Sequence, residues 1–307
     1  MNRLAGIIVA SVGLVLAILS ITQIIPGLTQ PGVVLILLGG LVIGLSFIDK
    51  PETDGAERMS TASTLGNMFI SPTEVFRNLR RHPRWLVALL IISALSATYY
   101  NLFLNRIGPE RVANYTIDKT LEMPMMNDDA RKAIETGRSA AIAEISNPVA
   151  RVSGAITSFA GAVFGFAFLA LFFMAFAMAM GGSLYFWQAF SAAVYAYFPY
   201  AVIKFVLNTL ILHLKDPAEI HPILGQQTLI QDNLNFLVLP AEHPIIFTLL
   251  GAMSLLGFYW VWLNAAGLKN AGDRVSNSTA WGASIGLYLL LTVLGVTLAA
   301  LFPSFLS

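Results

Sequence analysis

The 307-residue chain has no cysteine and little charge: Asp, Glu, Lys and Arg together make up 11% of it. The missing cysteine excludes disulfides, thiolate catalysis and cysteine-ligated metal clusters. Soluble domains carry about 25% charged residues, so a share below half of that excludes an ordinary soluble globule. With 18 basic against 17 acidic residues the net charge is +1, which gives no footing for a nucleic-acid partner. The sequence also lacks a phosphate loop, a nucleophile elbow and a GxGxxG turn opening a helix, so nothing in it points to an enzyme or a cofactor.

What is present is apolar. Hydrophobic residues make up 56% of the chain, and mean hydropathy is +0.72. About 20 apolar residues in a helix cross a hydrocarbon core of about 30 Å. Seven stretches qualify: 4–25, 32–48, 85–104, 154–180, 186–213, 244–267 and 281–302. The expectation is an all-α integral membrane protein with seven transmembrane helices. The first stretch is longer than a signal-peptide hydrophobic region and has no small-residue cleavage site, so it is expected to be retained. The seven hold no Asp, Glu or Arg and a single Lys, Lys204. Proton-coupled carriers rely on intramembrane carboxylates or histidines; the carboxylates are missing here, and the one histidine, His213, lies at a helix end.

Orientation follows from the basic residues. One side would carry Arg3, Lys50, Arg58, Arg77, Arg80, Arg81, Arg84, Lys269 and Arg274. The other would carry Arg106, Arg111, Lys119, Arg131, Lys132, Arg138, Arg151 and Lys215. The counts are close, but Arg77, Arg80, Arg81 and Arg84 crowd against a helix start, where they weigh most. This places the N-terminus in the cytoplasm and the C-terminus outside.

Three regions are expected: an N-terminal transmembrane hairpin at 1–48, a cytoplasmic linker at 49–68 and a five-helix membrane domain at 69–307. Gly40 and Gly44, four apart, offer the hairpin a close-packing face. A short amphipathic helix is expected over 71–82, with Ser71 and Glu74 at capping-box spacing and Pro72 at the first helical position. Val75, Phe76 and Leu79 share its apolar face. Arg77, Arg80, Arg81 and Arg84 would meet lipid headgroups at the interface, or serve the topology rule without a specific ligand. The external loop 105–152 suggests helices near 110–121 and 128–145, broken near Pro124, with Asn127 as a cap. A second external loop, 215–243, holds His221 and His243, 22 residues apart with no metal-ligand spacing, so no metal site is expected.

Inside the membrane, Gly154, Ser158, Gly161 and Gly165 recur at helical spacing, and Gly282 and Gly286 form a further small pair. Tyr197, Tyr200, Lys204 and Asn208 form one polar stripe beside Pro199. Lys204 is either snorkelling or knotted into hydrogen bonds, or it is an anion or headgroup contact. Trp-x-Ala recurs at Trp187 and Trp281, a faint echo of two parallel hairpins.

From about residue 69 onward the chain resembles the bacterial branch of the Yip domain family of multi-pass membrane proteins. The resemblance rests on Ser71-Pro72 with Phe76, Gly181-Gly182 leading to Trp187-Gln188-Ala189, and Tyr195 with Pro199. It also rests on Leu214-Lys215-Asp216-Pro217 followed by Asn233-Leu234-Asn235-Phe236-Leu237. It implies five helices, a cytoplasmic N-terminus and no catalytic residues. Eukaryotic members are linked to Rab-type GTPases through a long cytoplasmic N-terminal region; a helical hairpin stands in its place here, which counts against GTPase binding. The resulting expectation is a non-enzymatic scaffold that organises lipids or other membrane proteins, or self-associates, in a bacterial inner membrane. The alternative is a transport or channel component built around Lys204. A membrane enzyme using His221 and His243 is a third reading.

Overall fold

The structure, a computed structural model, describes residues 2–47, 57–123 and 126–305. Much of the expected linker, together with Ile48 and Pro124, lies outside the described residues. The described residues form thirteen α-helices and no strand. In chain order they are α1 (Asn2–Ile21), α2 (Thr29–Leu45), α3 (Thr61–Ile70), α4 (Pro72–Arg81), α5 (Leu86–Ile107), α6 (Pro109–Leu121) and α7 (Asp128–Ser146). They continue with α8 (Pro148–Ala179), α9 (Phe186–Leu214), α10 (Leu224–Gln227), α11 (Pro244–Gly251), α12 (Leu255–Ala271) and α13 (Asn277–Leu301).

Five of them, α1, α5, α8, α9 and α13, are long and apolar enough to cross a membrane. The expected sixth span is broken: α11 and α12 meet at 51°, so together they make at most one bent crossing. Helix α2 has 17 residues, about 25 Å of rise, at the lower limit for a crossing. Among the described residues five helices, or six spans with the bent pair, are long and apolar enough to cross, and α2 is the shorter apolar helix at the place of the expected second span.

The chain divides into two compact units. The first comprises Met1–Ala94, Val152–Tyr200 and Trp260–Leu287; the second comprises Leu95–Arg151, Ala201–Tyr259 and Tyr288–Ser307. Helices α5, α8, α9, α12 and α13 contribute a stretch to each.

In the first unit α1 and α2 interlock through glycines. A methyl group on Gly13 would come within 2.6 Å of the Gly32 carbonyl, and one on Gly39 within 2.5 Å of the Ala10 nitrogen. Gly6 and Gly32 are equally crowded, by the Gly39 carbonyl and the Ala17 nitrogen. Each helix thus offers two glycines seven residues apart, and the backbones touch. Gly40 and Gly44 are not on this seam; both are exposed with open space beside them. Helix α2 is apolar on every side, so spacing alone does not reveal which glycine faces its partner. The hairpin packs on the rest of this unit: the indole N–H of Trp187 donates to the Leu45 carbonyl at 3.2 Å.

Helix α8 buries Phe159, Val163, Phe166, Ala170 and Phe173. Gly154, Ser158, Gly161 and Gly165 lie exposed, and the three glycines have open space beside them. This row of small residues faces away from the rest of the chain, and the bulky edge of α8 supplies the buried contacts. The Phe176 ring lies 3.4 Å from where a Gly282 methyl group would sit, whereas Gly286 has open space.

The second unit is centred on Tyr99, Phe103, Leu104, Ile107, Val112, Leu212 and Ile220. Asn127 caps α7, accepting from the Ala130 N–H at 2.8 Å. Arg138 ties α7 to α6 through Asp118 at 2.8 Å and Asn114 at 3.1 Å. Hydrogen bonds to Glu135 and Asp118 raise the Arg138 pKa above its ordinary value. Asp232 explains how α12 begins afresh. Its carboxylate accepts from the Ser254 hydroxyl at 2.6 Å and the Leu256 N–H at 2.8 Å, and its carbonyl accepts from the Leu255 N–H at 3.1 Å. Amide groups orphaned by the break are thereby satisfied.

Candidate functional site

The densest polar node in the first unit is built on α3 and α4. Ser60 caps α3, its hydroxyl accepting from the Ser63 N–H at 3.1 Å. The two helices are joined by one residue: Ser71 donates its N–H to the Asn67 carbonyl at 2.8 Å and lends its own carbonyl to the Glu74 N–H at 3.1 Å. Pro72 occupies the first turn of α4 as expected, but the Ser71 hydroxyl makes no cap bond. Val75, Phe76 and Leu79 are fully buried.

Arg84 departs from the expected interfacial set. It is only 6% exposed, while Arg77, Arg80 and Arg81 are exposed. Its guanidinium donates to the Met59 carbonyl at 2.7 Å, to the Thr64 hydroxyl and to Asn78 Oδ1 at 3.3 Å. The Tyr195 hydroxyl is a further partner. Burial lowers the Arg84 pKa from its ordinary value, against the opposing effect of Tyr195. One fork therefore holds the start of α3, the middle of α3 and the end of α4. Asn78 completes the clasp: its amide nitrogen donates to the Glu57 carbonyl at 3.0 Å.

Helix α4 runs beside α12. Arg80 pairs with Asp273, Arg77 Nε donates to Asn270 Oδ1 at 3.3 Å, and the Phe76 ring lies 3.1 Å from where a Gly267 methyl group would sit. Gln188 fixes α4 to the start of α9. Its amide nitrogen donates to the Arg80 carbonyl at 3.0 Å, and its oxygen accepts from the Tyr185 N–H at 3.1 Å, half of a capping box. The turns entering α9 and α13, related by the Trp-x-Ala echo, meet directly. Ser183 and Asp273 exchange backbone hydrogen bonds of 2.8 and 2.7 Å. Gly181 adopts a φ of +77° in that turn, a conformation open to glycine.

The polar stripe on α9 is divided between the units. In the first, Tyr197 meets Phe166 edge-on at 5.6 Å and Tyr200 at 5.0 Å. In the second, Lys204 is half-buried and Asn208 is buried. Asn208 Oδ1 accepts from the Leu229 N–H at 2.8 Å and the Ile230 N–H at 3.2 Å, closing non-helical backbone. Asn208 is therefore committed to the chain itself.

In the external segment His221 stands beside Tyr115 at 3.1 Å, and its Nδ1 accepts from the Ile223 and Leu224 N–H groups. His243 is exposed. Among the described residues no three His, Asp or Glu side chains gather into a metal-binding group.

Sequence reasoning missed the Arg84 clasp, the Asp232 cap and the Gly6/Gly13/Gly32/Gly39 seam. The seven-residue spacing of the seam glycines is the one local trace among these, and it does not say which way they face.

A family profile described as the Yip1 domain matches residues 66–301. The chain belongs to the Yip1 domain family. It is a multi-pass membrane protein. Comparison with curated proteins and with solved structures gives no match. The Yip1 match begins within α3 and ends with α13. It takes in the second half of α3, all of α4, Arg84 and Gln188, and leaves the α1–α2 hairpin outside.

Proposed function

We propose that this Yip1-family chain is a non-enzymatic membrane scaffold that gathers lipids or other membrane proteins. The observation carrying the reading is the row Gly154, Ser158, Gly161 and Gly165, exposed on α8 with open space beside its glycines. Small residues let helix backbones approach closely in lipid, and this face is left available to a neighbour. Arg77 and Arg81, exposed on α4, add a basic face suited to lipid phosphates. The reading places the chain in a bacterial inner membrane with seven crossings, α2 tilted little and the α11–α12 pair counted as one. The N-terminus is cytoplasmic and the C-terminus external, from the crowding of Arg77, Arg80, Arg81 and Arg84 beside α5.

Purification from membranes in a mild detergent is expected to recover a stoichiometric membrane-protein partner or a selectively retained lipid. The double variant Gly161→Leu/Gly165→Leu is expected to lose the protein partner while remaining folded. A lone monomer with no lipid preference contradicts the reading. Lys204, half-buried on a spanning helix, supports a second reading as a transport or channel component. That reading predicts a solute or ion flux in vesicles that Lys204→Met abolishes.

A further inference from the structure

We propose that α3 and α4 form a re-entrant hairpin whose tip, Phe69 and Ile70, is inserted among the acyl chains of one leaflet without crossing it. The arms are antiparallel, ten residues each, and joined by Ser71 alone. Their base is fixed where Arg84 and Asn78 gather residues 57–59.

Depth can be read along α9, a membrane-spanning helix. At the base, the Arg80 carbonyl is bound by Gln188. At the tip, the Phe69 ring meets Phe198 edge-on at 6.0 Å. Ten residues separate positions 188 and 198, about 15 Å of helix rise. A ten-residue arm has the same length, so the hairpin stands alongside α9 rather than flat across its end. Helix α9 has 29 residues, about 43 Å of rise; a core of about 30 Å centred on it reaches past Phe198 toward the hairpin's base.

The chemistry of the tip matches that depth. Ile70 is 80% exposed and Phe69 46% exposed. The outward face of α3 adds Ala62, Ser63 and Gly66, and the sequence carries no charge from 59 to 73. Adjacent exposed apolar side chains at the tip fit hydrocarbon, with the first charge, Glu74, three residues past Ser71 and about 5 Å back along α4 on its exposed side. Arg77 and Arg81 come six and ten residues after Ser71 on α4, about 9 and 15 Å back toward the base, where phosphates lie. The inference concerns contact with lipid and holds whether or not α8 has a protein partner.

The absence of native cysteine makes the test direct. Ile70→Cys and Arg81→Cys are each made in the full chain, labelled with a fluorophore and reconstituted in phosphatidylglycerol-containing vesicles. Quenching is compared between lipids carrying a nitroxide in mid-chain and at the headgroup. The expected result is severalfold stronger mid-chain than headgroup quenching at position 70, with the reverse at position 81. Stronger headgroup quenching at position 70, or its rapid reaction with a membrane-impermeant maleimide, overturns the proposal. Shielding of position 70 from both quenchers with disulfide cross-linking to a second copy overturns it in favour of a protein contact. Both variants must keep the thermal unfolding of the parent, and both positions are exposed enough for that.

Discussion

In the first unit the polar side chains gather helices: Arg84 holds α3 and α4, and Gln188 joins α4 to α9. In the second unit, apart from Arg138, which ties α7 to α6, they repair interruptions. Asn208 closes the backbone at 229–230, Asp232 starts α12 afresh and His221 caps the turn into α10. The difference follows from the chain. In the first unit the connections between α3 and α4 and between α8 and α9 are short, and the polar side chains that serve them sit at helix ends. The second includes the long segment from Lys215 to His243, whose backbone is mostly irregular. In lipid every backbone polar group must be satisfied from within the protein. These hydrogen bonds serve that rule at helix ends in the first unit, and in the second they close irregular backbone on the same principle.

Removing the cation breaks this contrast most severely. Arg84→Leu is expected to destabilise the protein by roughly 2–3 kcal/mol, because several buried acceptors lose a charged donor. Thermal unfolding in lipid nanodiscs reads this, and Arg84→Lys should restore only part of the loss because a point charge cannot reproduce the fork. Next in size is the glycine seam. Gly39→Leu should destabilise by about 1–3 kcal/mol through overpacking, while Gly40→Leu, facing open space, should leave the unfolding temperature unchanged. In the second unit Asp232→Ala should cost about 1 kcal/mol, the usual worth of a lost cap. Faster amide exchange at Leu256, with no change at α4, would mark the loss as local.

Much of the fold is legible from residue pattern. The amphipathic helices α6 and α7 and the Asn127 cap fall where their charged and apolar residues predict them. Helix α4 is readable for the same reason, since Val75, Phe76 and Leu79 contrast with Arg77, Arg80 and Arg81. Legibility fails where contrast fails. Helices α2 and α8 are apolar all round, so neither Gly40 nor Gly161 announces which way it faces. The break at Ala252-Met253-Ser254 follows Gly251, one glycine among many in the apolar helices; it is completed by Asp232, which precedes α11 in the chain. Arg84 reads as one more basic residue beside a span, because the acceptors that bury it lie up to 25 positions earlier. The α9 stripe is legible as a stripe, but its division between units depends on neighbours brought together only by folding.

Arg84, Gln188 and Asn208, buried polar side chains of this membrane bundle, close its own backbone, and Asn208 is where that closure is simplest to remove. Amide hydrogen exchange on Asn208→Leu in nanodiscs reads the consequence residue by residue. A large rise in exchange is expected at Leu229 and Ile230, with Tyr185 and the α4 amides unchanged. Unaltered protection at Leu229 and Ile230 would mean that Asn208 does not hold that backbone, and the closure would have to be sought elsewhere.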